Sequence, residues 1–107
     1  MKKQNKIMIA VSRDEMERRK MIAKIAVNIG IATCLSDANK LIKPTLADID
    51  LPMSYIVVCD NVNLRESPLS THKLYELAAK GIAVIIGCKK VYPEHEFISE
   101  VFYPEDL

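Results

Sequence analysis

The fold is decided by residues 6–30, which read KIMIAVSRDEMERRKMIAKIAVNIG. The apolar run of residues 6–11 is typical of a buried strand, and Ser12 with Glu15 three positions later matches a helix-capping box. Apolar side chains then recur at helical spacing until Gly30, a residue that commonly ends a helix. We therefore expect a strand that leads directly into a long amphipathic helix.

Three further apolar runs predict three further strands. Residues 31–35 form a short run that contains a threonine, residues 55–59 (YIVVC) form the clearest β-branched run, and residues 82–86 form the last. Continuous apolar runs are typical of parallel strands that are covered on both faces. The pattern predicts an α/β fold with a four-stranded, mainly parallel sheet.

The segments between and after these runs predict about three helices in all. A second long helix starts at Ser67 with Pro68, or at Ser70, and ends at Gly81. Residues 36–54 contain two prolines and predict a short helix, then a loop, as an insertion before the third strand. Residues 94–102 have apolar side chains spaced to dock one face of a final helix. No linker is evident, so residues 1–107 are predicted to form one α/β domain.

Composition and charge favour a globular protein without a strong nucleic-acid footprint. Of the 107 residues, 50% are hydrophobic and 27% are charged, and the net charge is +1. The charges are unevenly placed, because residues 1–45 hold ten Lys or Arg against four acids, whereas residues 91–107 hold five acids and no base. Such charges most often form solvated faces and a solubilising tail.

Cysteine usage indicates a reducing compartment. Cys34, Cys59 and Cys88 are odd in number and lack the paired spacing of a zinc site or a disulfide framework. The apolar run Ile7–Val11 is too short for a signal-peptide core, and no segment approaches the length of a membrane span. A cytoplasmic location is therefore predicted.

In a parallel sheet, the loops that leave the carboxyl ends of the strands gather at one edge, where ligands bind. Ser12, the three cysteines and Asp60 are expected there. The helix after Ser12 would point its free N–H groups at an anion, although a capping role alone explains this serine. The cysteines could ligate a metal or act as nucleophiles with His72, but burial as inert thiols is favoured, and surface positions are favoured for His72 and His95.

Sequence motifs give no positive support for catalysis. The chain has only three glycines, and its first strand runs into SRDEMERR, so a glycine-rich phosphate loop is missing there. No G-x-S-x-G turn is present, and no carboxylates near a histidine make a convincing catalytic set. Binding is therefore favoured over catalysis, with no catalytic residue, metal or cofactor predicted.

The chain resembles the BRCT domain family, a module of similar size with a parallel four-stranded sheet and three helices. The resemblance is carried by IMIAVSRDEMERRKMIAKIAVNIGIATCLS, YIVVCD and STHKLYELAAKGIAVII in the family's order. It implies the element order β-α-β-β-α-β-α, with an insertion at residues 36–54. The chain departs from the family in having Arg13 where a glycine is common, and in having no Trp in the last helix, where Phe97 or Phe102 would replace it.

The resemblance also implies a phosphate-binding site and a function. In phosphopeptide-binding members, a Ser or Thr after the first strand, the next backbone N–H and a Lys near the start of the second major helix hold the phosphate. Ser12, Arg13 and Lys73 match these places, and Thr71 would support the pocket. The implied function is a non-enzymatic recognition module that binds a phosphorylated peptide, a partner protein or a DNA end in DNA replication or repair.

Two other functions are compatible with the same sequence. One is a small Rossmann-like domain that binds or processes a nucleotide or nucleoside, with Ser12, Asp60 and Cys59 at its edge. A nucleotide needs an apolar slot for the base beside an anion site, whereas a phosphopeptide groove is shallow and open. The other is a homodimer in which the acidic tail of one copy contacts a basic face of the next.

Overall fold

A computed structural model of the chain describes residues 6–50, 55–66 and 68–107. Four strands form the sheet: β1 (Ile7–Val11), β2 (Ile56–Cys59), β3 (Ala83–Cys88) and β4 (Ser99–Phe102). Four α-helices accompany it: α1 (Glu15–Asn28), α2 (Leu35–Leu41), α3 (Pro68–Ala79) and α4 (Pro93–Glu96). Two short 3₁₀ turns lie at Leu46–Asp48 and Pro104–Asp106. None of these described helices is long and apolar enough to cross a membrane.

The sheet is entirely parallel, with the strand order β2-β3-β1-β4. Strand β1 lies inside it, since Met8 is paired with Ile85 of β3 on one side and with Glu100 of β4 on the other. All five residues of β1 are buried, as expected for a strand that is covered on both faces. The predicted α/β class with a four-stranded parallel sheet is confirmed.

Each face of the sheet packs against its own helices. Met8 and Ala10 of β1 share a core cluster with the buried side of α1, including Ile22. The alternate β1 residue Ile9 packs on the other face with Leu74 of α3. This division follows from the two-residue period of a strand, which sends successive side chains to opposite faces.

The observed element order is β-α-α-β-α-β-α-β, which differs from the expected β-α-β-β-α-β-α. The predicted strand at residues 31–35 was wrong. Gly30 adopts a positive φ of 83°, and the N–H of Ile31 donates to the carbonyl of Ala26, which closes the end of α1. The chain then turns into α2, while Ile31 packs on the core as a loop side chain. The apolar side chains at the start of residues 31–35 therefore pack on the core from a loop, and the segment does not form a strand.

The predicted helix at residues 94–102 was also wrong, because only its first residues are helical and its last four form β4. Val101 packs on the core face of α3, whereas Phe102 packs on the face of α1. Successive side chains on opposite faces are the mark of a strand. Phe97, considered as a core replacement for a tryptophan, is 86% exposed.

Candidate functional site

The connections that leave β1 and β3 at the carboxyl edge of the sheet diverge to opposite faces. The chain leaves β1 toward the face covered by α1, whereas after β3 Val91 packs on the opposite face, beside α3. Neighbouring strands whose connections diverge in this way form a topological switch point, where α/β proteins bind ligands. Ser12 and Arg13 follow β1 here, and Lys89 and Lys90 follow β3.

The first turn of α1 is capped differently from the prediction. Asp14 is the N-cap, and its carboxylate accepts a hydrogen bond from the N–H of Met16 at 3.0 Å. Ser12 lies two residues earlier, and its hydroxyl donates to Oε1 of Glu17 at 2.7 Å. The capping box of Ser12 and Glu15 was therefore wrong. Asp and Ser cap about equally well, so residue preference alone does not distinguish Asp14 from Ser12.

A buried ion pair lies beneath this edge. Arg18 and Asp60 are 1% and 2% exposed, and two nitrogens of the guanidinium donate to the two carboxylate oxygens, Nη2 to Oδ2 at 3.0 Å. Nη1 of Arg18 donates to the carbonyl of Ser12 at 3.0 Å. One side chain thus connects the ends of β1 and β2, and its hydrogen bond to Asp60 raises the pKa of Arg18. Arg18 thereby fixes the position of Ser12, after β1, relative to Asp60, after β2.

Gly87 makes room for this pair. A Cβ at that position would collide with Oδ1 of Asp60 and would lie 2.8 Å from Cδ1 of Ile22 and 3.0 Å from Cγ of Arg18. Gly87 lies in β3, between β2 and β1. Its bare backbone leaves the space in which Arg18 of α1 reaches Asp60, the residue that follows β2. Glycine is required here for close approach.

The loop after β2 borders a cavity of about 600 Å³, called here the larger cavity. Its lining is mixed: the apolar members are Leu46, Ala47, Ile49 and Val62, and the polar members are Thr45, Asp50, Asn61, Asn63, Glu66 and Ser70. Asn61 of that loop adopts a positive φ of 55°, a conformation in which Asn is enriched. The volume lies within the range of small-ligand sites, which are about 300 to 1,000 Å³.

A second cavity of about 270 Å³, the lysine pocket, shares the loop from Asn61 to Glu66 with the larger cavity. Its other wall is formed by Lys89, Lys90 and Tyr92 after β3. Within the described ranges, neither lysine makes an ion pair. A cavity of mixed lining therefore adjoins a pocket that holds two lysines and Glu66, with no ion pair formed between them.

Arg65 holds the far side of the lysine pocket in place. Its guanidinium lies 3.7 Å from the ring centroid of Tyr92, and its nitrogens donate to both carboxylate oxygens of Glu94 at 2.8 and 3.0 Å. The backbone N–H of Arg65 also donates to Oδ1 of Asn63 at 3.0 Å. These contacts connect the loop after β2 to the loop after β3, so that the two walls keep their spacing.

The residues implied by the BRCT resemblance lie at this edge in two separate groups. Ser12 and Arg13 follow β1, whereas Thr71 and Lys73 belong to α3 on the face opposite α1. Thr71 donates to the carbonyl of Leu64 at 2.9 Å, and Nζ of Lys73 lies 3.3 Å from a carboxylate oxygen of Glu76. No hydrogen bond or ion pair within the described residues joins the two groups.

The cysteines and His72 gain no catalytic arrangement. Cys59 and Cys88 are buried as expected, and burial raises the pKa of Cys88 to about 12, so its thiol stays protonated at neutral pH. Cys34 is exposed, against expectation. His72 is exposed, and its Nε2 lies 3.6 Å from a carboxylate oxygen of Glu76. Among the described residues, no three His, Cys, Asp or Glu side chains are grouped to hold a metal ion.

His95 has a role that the sequence did not suggest. Its ring stacks on Tyr75 with centroids 5.9 Å apart, and the Tyr75 hydroxyl forms hydrogen bonds with Nδ1 of His95 at 2.9 Å and with Oγ of Ser99 at 2.8 Å. Burial raises the pKa of Tyr75. This chain connects α3, α4 and β4, and it anchors the segment that follows the two lysines.

Sequence signals for the missed residues do exist. Arg18 lies four residues before Ile22, on the apolar stripe of α1, and a charge on such a stripe indicates a buried partner. Lys89 and Lys90 directly follow the run that forms β3, at the strand end where ligands bind.

Comparisons with protein-family models, with curated proteins and with solved structures found no match for this chain. The resemblance to BRCT domains therefore stays a prediction from the sequence.

Proposed function

We propose that this protein binds a nucleotide or a similar phosphorylated nucleoside at the carboxyl edge of its sheet. The observation that carries the proposal is the shared wall between the larger cavity and the lysine pocket. This arrangement sets the apolar side chains of Leu46 and Ile49 on one side of the loop and two lysines on the other, as a nucleotide needs for its base and its phosphates.

Each part of a nucleotide has a matching part of the site. The base is expected between Leu46, Ile49 and Val62, and the phosphates are expected beside Lys89 and Lys90. Ammonium groups form charge-assisted hydrogen bonds with phosphate oxygens, which are stronger than neutral ones. The carboxylate of the exposed Glu66 lies along both cavities, where it can accept hydrogen bonds from sugar hydroxyls.

The proposed role is binding without chemistry on the ligand. The buried Cys88 thiol is a poor nucleophile because its pKa is raised to about 12. All three nitrogens of the buried Arg18 guanidinium donate within the protein, to Asp60 and to the carbonyl of Ser12. We also propose a cytoplasmic location, since the three free thiols suit a reducing compartment.

A calorimetric titration with ATP, ADP and adenosine tests the proposal. The double variant Lys89→Met with Lys90→Met is expected to weaken ATP binding at least tenfold, because two phosphate contacts are lost. Adenosine binding should change less than twofold, since adenosine carries no phosphate. The matched control, Lys20→Met with Lys80→Met, removes the same charge from two exposed positions outside both cavities and should leave ATP binding unchanged. Absence of binding by ATP, GTP, CTP and UTP at millimolar concentration would refute the proposal.

The second candidate function is recognition of a phosphorylated peptide or a DNA end. The residues that would mediate it are Ser12, Arg13, Thr71 and Lys73. It is favoured by Lys73, whose ammonium, among the described residues, makes an ion pair with the exposed carboxylate of Glu76 and with no other group. It is disfavoured at Ser12, because the hydroxyl already donates to Glu17, and a phosphate there must displace that carboxylate.

The two candidates are separated by their variants. A phosphopeptide site predicts that Ser12→Ala with Lys73→Met abolishes binding of phosphopeptides or 5′-phosphorylated DNA, while the variant at Lys89 and Lys90 retains it. A nucleotide site predicts the reverse sensitivity for ATP. Inorganic phosphate, titrated alone, shows whether either lysine group binds phosphate without the rest of the ligand.

A further inference from the structure

The two outer strands of the sheet present exposed apolar side chains at their amino ends. Phe97 and Ile98, just before β4, are 86% and 50% exposed. On the opposite side, Tyr55 and Ile56 at the start of β2 are 84% and 45% exposed. Open edges with apolar side chains favour pairing with another chain, and proteins usually protect them.

The strand register places these two apolar pairs at the same height. Met8 is paired with Glu100 of β4 and with Ile85 of β3, and Ile85 is paired with Val58 of β2. Glu100 is therefore level with Val58. Two residues earlier along each strand, Ile98 is level with Ile56. If a second copy is placed beside the first so that its β4 lies next to β2 at the same level, Ile98 of one copy is therefore beside Ile56 of the other.

The charges on the two edges are opposite in sign. The β4 side, called here the acidic edge, carries exposed Glu96, Glu100, Glu105 and Asp106, and residues 91–107 contain no Lys or Arg. The β2 side, called here the basic edge, has a hollow of about 290 Å³ lined by Lys40, Lys43, Leu41, Ile49, Ile56, Val58 and the acidic Asp50. Val58 lines this hollow and is level with Glu100, so Glu100 of a neighbouring copy would face the two lysines.

We propose that copies of this chain associate head to tail, with the acidic edge of one copy docked against the basic edge of the next. Phe97 and Ile98 would cover Tyr55 and Ile56, and Glu100 would meet Lys40 and Lys43. A symmetric pairing of two acidic edges, or of two basic edges, sets like charges together. The complementary pairing avoids that repulsion, and it leaves one free edge at each end of a dimer.

The contact is made at the amino half of β2. The carboxyl half is already covered, because the N–H of Lys43 donates to the carbonyl of Val58 and the N–H of Asp60 donates to the carbonyl of Lys43. A head-to-tail contact forms either a ring or an open filament. Since neighbouring strands twist by about 20 to 25°, four strands rotate each copy by about 80 to 100° relative to the previous one, which favours a short helical filament.

Two edge variants and their mixture test the proposal by sedimentation velocity. The basic-edge variant is Lys40→Glu with Lys43→Glu, and the acidic-edge variant is Phe97→Lys with Glu100→Lys. The wild-type protein is expected to gain mass with concentration at low salt and to lose it at about 0.5 M salt, where screening is strong. Each variant alone should have a dissociation constant at least tenfold higher. Their equimolar mixture should associate again, at least as a dimer, because the intact acidic edge of one variant meets the intact basic edge of the other.

Every outcome decides the proposal. A wild-type protein that is monomeric at all concentrations overturns it, and so does a variant that associates alone as well as the wild type. A mixture that fails to form the dimer also overturns it. The control Lys20→Glu with Lys80→Glu makes the same charge change away from both edges and should associate normally. Circular dichroism checks folding, and Tyr55→Glu serves as a second basic-edge variant if the lysine variant is unfolded.

Discussion

The buried ion pair of Arg18 and Asp60 should dominate the electrostatic contribution to stability. The substitution Asp60→Asn keeps the shape of the side chain and removes its charge. The guanidinium of Arg18, only 1% exposed, would then keep its positive charge without a counter-ion. Removing one partner of a buried pair costs about 3 to 5 kcal/mol, because the remaining charge stays desolvated. That is a large part of the stability of a domain this size, about 5 to 15 kcal/mol.

A matched control is provided by the second bidentate pair of the molecule. Arg65 and Glu94 have the same chemistry, but their side chains are 54% and 49% exposed. Exposed pairs contribute about 0 to 1 kcal/mol, because water solvates the separated charges. Arg65→Met should therefore lower the free energy of unfolding far less than Asp60→Asn does.

Urea unfolding of both variants, followed by circular dichroism, measures the difference. The double variant Arg18→Met with Asp60→Asn should be less destabilised than the sum of its two single variants, since it leaves neither charge unpaired. The reasoning is refuted if Asp60→Asn costs no more than Arg65→Met. It is equally refuted if the double variant equals the sum of the singles.

Two further predictions concern titratable groups. Iodoacetamide at pH 8 should modify Cys34 in the native protein but Cys88 only after unfolding, because Cys34 is exposed and burial raises the pKa of Cys88 to about 12; equal labelling of both, seen by mass spectrometry, would contradict this. The pKa of Glu94 lies below its ordinary value because of a backbone hydrogen bond at Glu94 and the hydrogen bond from Arg65. The folded state therefore binds fewer protons, so this contribution to stability is present above the unfolded pKa and is lost as the pH falls through the folded one. Arg65→Met should move the pKa of Glu94 part of the way back in an NMR titration, and an unchanged value would count against the pair.

Periodicity predicted the elements whose pattern is long or strongly β-branched. The apolar run after Lys6 became β1, the helical spacing up to Gly30 became α1, and residues 55–59 and 82–86 became the cores of β2 and β3. It failed at residues 31–35, where three or four apolar residues fit either a strand or a packed loop. Such short runs carry too few periods to separate the two.

The tail shows why spacing alone can mislead. Phe97, Ile98, Val101 and Phe102 fit a helical stripe, yet Phe97 is 86% exposed, and Val101 and Phe102 pack on opposite faces of the sheet. The free edge of β1 decided this segment, because pairing with β4 satisfies backbone groups that would otherwise be buried without partners.

Residues 6–30, from which the α/β class follows, specify by themselves a buried strand and an amphipathic helix, since the burial and period of a segment are written in its own side chains. Only the tertiary structure decided that β3 enters between β2 and β1 and that β4 closes the other side. It also decided that Arg18 meets Asp60, 42 positions away, over the bare backbone of Gly87. The local sequence pattern indicates which side of a segment is buried. Which other segment packs on that side depends on hydrogen bonds, charge and free space between residues that are distant in the chain.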